Sequence, residues 1–139
     1  MALITWSDKM SVGNATIDGD HRTLLDRLNA LHDVVRGNTP RESMPTLFRD
    51  LIEYTEYHFA TEERLMRLSR FPDMERHKAM HDGLARRLRE FEARFQEAPD
   101  TFNLLEMFDF VSDWLMRHIL REDMKVGTHL KAMPKNGGP

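Results

Sequence analysis

The chain is 139 residues long and carries 20 Lys and Arg against 23 Asp and Glu, a formal charge of -3; this is one domain with a single sizeable core. The near balance of charge gives neither a nucleic-acid surface nor an acidic tail, and the apolar runs are too short for membrane insertion. No cysteine is present, which excludes disulfides, thiolate metal sites and thiol nucleophiles, and MALITWSDKM lacks the pattern of a secretory signal, so a cytoplasmic location is expected.

Residues 1–17 read as an arm, with Trp6 and Ile17 as its anchors. Helical periodicity then runs from about Gly19 to Arg36, with Leu24, Leu25, Leu28 and Leu31 on one face and Asp18 as the N-cap. GNTPRES interrupts it. The second helix runs from about Arg41 to Ser69, with Leu47, Leu51, Ile52, Tyr54 and Phe59 as apolar positions, and ends before RFPD. The third runs from about Asp73 to Glu97 and stops before APD. The fourth runs from about Thr101 to Met133, and residues 134–139, PKNGGP, read as a flexible tail. No stretch alternates at period two. Four helices with short connections predict an all-α fold, an up-down-up-down antiparallel four-helix bundle over residues 1–133 with an N-terminal arm.

Polar residues interrupt the core-facing stripes at few places. His58 and Glu62, in HFATEE, are four apart and share one face of the second helix. His77 and His81, in HKAMH, share one face of the third. His21 lies early in the first helix, and His118 follows Leu104, Phe108, Val111 and Leu115 on the inner stripe of the fourth. Any one of these is more often surface decoration or a satisfied core residue. Their levels in the bundle decide otherwise. With turns near residues 39, 71 and 99 and a rise of about 1.5 Å per residue, the sets match in height to within roughly 5 Å. Five histidines and at least two carboxylates therefore fall in one layer. His32 and His129 lie at other levels and read as surface or helix-end residues.

So many imidazoles cannot satisfy one another in an apolar interior, because protonating several neighbours together is costly. A metal resolves this. Seven donors exceed what one tetrahedral zinc takes, and suit two ions bridged by the carboxylates, with a further oxygen bridge and one open position. Nitrogen and oxygen donors are compatible with iron and do not by themselves exclude manganese or zinc.

IDGDH, HFATEE, HKAMH and WLMRHILRED, in this order and spacing, resemble the hemerythrins, and specifically the single-domain bacterial hemerythrins; the likeness runs from Trp6 to about Leu130. The resemblance implies that His77, His81 and His118 bind one iron and that His21 and His58 bind the other. Glu62 and Asp123 would bridge the pair beside an oxo or hydroxo group. Asp20 departs from the glutamine found in many members, which touches a supporting residue and not a ligand. The implied function is reversible O2 binding at the open iron, with O2 and a protein acceptor for it as partners, in a dry pocket of Leu24, Phe59, Trp114, Leu115 and Ile119. None of those five is charged, which favours a carrier over an enzyme. The competing readings are an O2- or NO-sensing module and a weak peroxidase or oxidase on the same centre. Neither the Glu-x-x-His of ferritin-like enzymes nor the His-Glu-x-x-His of zinc hydrolases occurs.

HILRED, residues 118–123, offers two acids to the site. On an ideal helix Glu122 stands about 40° from His118 and Asp123 about 140° from it. The inner stripe drifts along the fourth helix, and periodicity does not choose between them. The resemblance selects Asp123, which requires a local widening such as a π-bulge, or a reach from the flank of the stripe.

Overall fold

The computed structural model describes residues 4–133. Helix α1 spans Ala15–Val35, α2 Met44–Leu68 and α3 Met74–Glu97. The fourth rod is a composite of α4 (Leu104–Arg117), a π-helical segment (His118–Asp123) and α5 (Met124–Lys131). The rods form the expected antiparallel bundle, with α1 against α2, α2 against α3, and α4 back against α1. Residues 134–139, expected to form a tail, lie outside the described residues. No described helix is long and apolar enough to cross a membrane.

Helix α1 begins four residues before Gly19, because Asn14 and not Asp18 caps it. Asn14 has extended backbone, and its side chain accepts from the Ile17 N–H. Asp18 is already inside the first turn. Its carboxylate accepts from the Val12 N–H at 2.9 Å and from the Ser11 hydroxyl, and so holds the arm. Ile17 accordingly belongs to α1. Trp6 is half-buried beside Met10, Leu25 and Ile119, under the Arg22 guanidinium. Asn29 completes the clamp by exchanging two hydrogen bonds with the Ile4 backbone.

The arm passes so close to α5 that Gly127 has no room for a side chain; a Cβ there would overlap the Val12 carbonyl. Gly127→Ala is expected to destabilise the protein by about 1–3 kcal/mol in urea unfolding. Limited proteolysis should then cut first around Ser11 to Gly13.

Among the described residues, two apolar clusters fill the bundle interior, and a third, of Met10, Leu25 and Ile119, seats the arm. The larger includes Leu24, Leu28, Phe48, Leu51, Leu84, Leu88, Phe91, Phe108, Val111 and Leu115. The smaller joins Val12, Ile17, Met66, Phe71 and Val126. Each rod passes from one cluster to the other, and on each rod the polar residues lie between. His32 departs from expectation. It is in the last turn of α1, yet it is fully buried against Phe108, ring to ring at 5.0 Å. Four residues after Leu28 and seven after Leu25, it continues their inward stripe. His129 does act at a helix end, donating from Nε2 to the Ser69 carbonyl at 2.7 Å.

Candidate metal centre

The layer between the clusters is built by four local devices. On α1, His21 precedes Leu24 and Leu25 by one turn and shares their inward face. On α2 and α3 the four-residue spacing stacks His58 over Glu62 and His77 over His81. On the fourth rod the π-helical segment does what an α-helix cannot. Its wider turn closes on residue i+5, so Asp123 stands on the same side as His118. Both are buried, Asp123 at 1% exposure. Glu122 points the other way, to Arg76 of α3 at 3.0 Å and Lys125 at 3.4 Å.

All seven expected residues meet there, at 4% exposure or less. They form two sets whose donor atoms lie within 4.8 Å of one another: Glu62, His77, His81, His118 and Asp123, and His21, His58, Glu62 and Asp123. The carboxylates belong to both. Glu62 turns Oε1 to the three-histidine set, 2.7 Å from His77 Nε2 and 3.1 Å from His81 Nε2, and Oε2 to His58 Nε2 at 3.7 Å. Asp123 turns Oδ1 to His77 and His118, at 3.0 and 3.1 Å, and Oδ2 to His21 at 2.8 Å.

These residues suit metal ions. His118 Nε2 lies 3.2 Å from His81 Nε2 and 3.1 Å from His77 Nε2. Adjacent ligands of an octahedral ion with bonds of about 2.1 Å stand about 3.0 Å apart. His21 Nε2, Glu62 Oε2 and Asp123 Oδ1 are buried without a hydrogen-bond partner, although each has a polar neighbour close by. For His21 Nε2 and Asp123 Oδ1 the distances are short but the directions are not those of hydrogen bonds; for Glu62 Oε2 the His58 neighbour at 3.7 Å is too far for one. Such atoms point at common centres, which is what shared cations require.

Two outer carboxylates fix ring orientation. Asp20 Oδ2 is 2.9 Å from His58 Nδ1, and Glu63 Oε2 is 2.8 Å from His81 Nδ1. An ionised carboxylate only accepts, so in both rings Nδ1 carries the proton and Nε2 is left as the donor to a metal. Glu63 carries no signal of this role in the sequence. It sits one residue past Glu62, about 100° round the helix, and only the packing of α3 against that flank gives it a role.

Without metal, the layer holds protons. Burial opposes the charged form of His77, but the Asp123 and Glu62 carboxylates outweigh it and raise its pKa to about 9. His81 is raised in the same way, burial opposing and Glu62 and Glu63 prevailing. Asp123 is held well below the usual carboxylate range; burial opposes this, and His118, His21 and His77 overcome it. The contribution of His77 to metal-free stability is complete below the ordinary value of 6.5 and is lost as pH rises through about 9. The urea midpoint of the metal-free protein is therefore expected to fall between pH 6.5 and 9, and a midpoint that climbs over that window would contradict the assignment. Metal uptake at neutral pH should release protons.

Comparison with known proteins agrees with the geometry. The family model described as the Hemerythrin HHE cation binding domain matches residues 12–130. A bacteriohemerythrin of Methylococcus capsulatus is 35% identical over 136 residues, covering 95% of this chain and all of its own length. One of Stenotrophomonas maltophilia is 33% identical over 132 residues, covering 95% of this chain and 84% of the relative. A crystal structure of wild-type hemerythrin superposes with a TM-score of 0.85 at 31% identity, over 94% of this chain and 100% of that one.

Proposed function

The chain belongs to the hemerythrin family, and from that premise we propose that its buried centre binds O2 reversibly at two iron ions bridged by Glu62, Asp123 and an oxo or hydroxo group. His77, His81 and His118 would hold one iron. His21 and His58 would hold the other, one ligand short of its neighbour. The observation that carries this reading is the split of both carboxylates, each turning one oxygen to the three-histidine set and the other to the two-histidine set. A single-metal site would not need it. When bound, the iron pair supplies the electrons that O2 binding requires and recovers them on release.

The chain's own residues hold the metals and keep water out. Leu24, Phe59, Leu115 and Ile119 are buried around the layer. Phe59 stacks flat on His81 at 3.8 Å, and the half-buried Trp114 stacks on His118 at 4.5 Å. These aromatics cover the three-histidine side, and the aliphatic residues complete the apolar surround. None offers an acid or base to turn over a substrate, which supports an O2 carrier or supply protein that hands O2 to a protein acceptor. The test is optical. The iron-loaded protein is reduced anaerobically, exposed to O2, and then returned to vacuum. A charge-transfer spectrum that appears and disappears with O2 is expected. Immediate conversion to an oxidised form that releases nothing would sink the proposal.

A further inference from the structure

We infer that Asp20 and Tyr54 form a positioning pair that fixes His58 as an Nε2 donor and sets the reduction potential of the centre it serves. The inference rests on the iron reading above. Asp20 lies on α1 just before His21, and Tyr54 lies on α2 one turn before His58. The Asp20 carboxylate is used at both oxygens. Oδ2 accepts from His58 Nδ1 at 2.9 Å, and Oδ1 accepts from the Tyr54 hydroxyl at 2.9 Å. His58 Nε2 is thereby aimed at Glu62 Oε2 across 3.7 Å, too long for a hydrogen bond and open enough for an ion. His21, the other histidine of this set, has no hydrogen-bond partner at Nδ1. On the side with fewer ligands, therefore, one imidazole has its Nδ1 tied to an outer carboxylate and the other does not.

The two residues act in opposite directions. An imidazole that donates to a carboxylate is a stronger electron donor at its other nitrogen, which favours the oxidised metal. The Tyr54 hydroxyl draws charge from Asp20 and weakens that effect. Glu63 gives His81 a similar carboxylate on the three-histidine side, but no hydroxyl is hydrogen-bonded to Glu63 among the described residues. Tyr54 thus tempers the potential on one side of the centre only.

The experiment is an optical redox titration of iron-loaded wild type, Asp20→Asn and Tyr54→Phe. The asparagine carbonyl can still accept from His58 Nδ1, so each protein should retain its full iron content. Asp20→Asn is expected to favour the reduced form about tenfold per electron, equivalent to a rise of ~59 mV. Tyr54→Phe should move the potential the other way. A purely structural role for the pair would not produce opposite signs. Zinc-loaded protein gives a readout independent of redox chemistry, in which a downfield His58 Nδ1–H resonance should be present in wild type and persist in Asp20→Asn. Potentials that stay put, or move together, overturn the inference. Were wild type to bind iron but never release O2, the carrier reading would fall while the paired potentials still judged this one; unmoved potentials in a protein that does release O2 would overturn the positioning pair alone.

Discussion

Asp123→Ala is expected to lose at least half of the iron that the wild type binds, while Glu122→Ala keeps all of it. The two acids are neighbours in sequence and opposites in space. Asp123 is buried, with one oxygen among His77 and His118 and the other at His21. Its loss removes a donor from both sets at once and leaves His21 Nε2 facing an empty flank. Residues that only orient ligands typically cost 10–100-fold in metal affinity when removed, so loss of a shared ligand should exceed about a hundredfold. Glu122 pairs with Arg76 and Lys125 at the surface, where such pairs contribute roughly 0–1 kcal/mol. Metal analysis after anaerobic loading and desalting separates the variants. An iron-poor Glu122→Ala protein beside an iron-replete Asp123→Ala protein would reverse the assignment of the π-helical segment.

That segment also shows what a sequence conveys and what it withholds. The four rods were legible because Leu24, Leu28 and Leu31, or Phe108, Val111 and Leu115, repeat at helical spacing regardless of what they touch. The site layer was legible because side chains that are costly to bury sat at matched heights on all four rods. The choice between Glu122 and Asp123 was not, since periodicity assumes one constant turn and the π-helical segment changes it for six residues. The start of α1 is not legible, because Asn14 and Asp18 are both good caps, and only the arm's need for the Asp18 carboxylate decides between them. His32 lies at a helix end as expected but is buried, because its place on the Leu25 and Leu28 stripe outweighs the polarity of the imidazole. The outer partners are tertiary facts. Tyr54 is one turn from His58 and could be placed on its face, but its reach to Asp20 depends on how α1 lies against α2.

Stripping the metals with a chelator under reducing conditions is expected to lower the Tm of the loaded protein by about 10–20 °C. Each site occupied at about a hundred times its dissociation constant stabilises the fold by about 2.7 kcal/mol, so two sites give about 5 kcal/mol. In a chain of this size each kcal/mol moves Tm by about 2–4 °C. The layer makes this contribution hard to replace. Five imidazoles and two carboxylates stand between two apolar clusters, with no route to water for atoms such as Glu62 Oε2 and Asp123 Oδ1. Protonation of His77 and His81 offsets part of the loss, because each then pairs with a carboxylate. It does so less well above pH 9, so the Tm gap between loaded and stripped protein should widen there. Asp123→Ala supplies the control, for a protein that holds fewer ions should lose less of its Tm to the chelator. If wild type melts at the same temperature before and after stripping, the seven residues satisfy one another and the layer is structural.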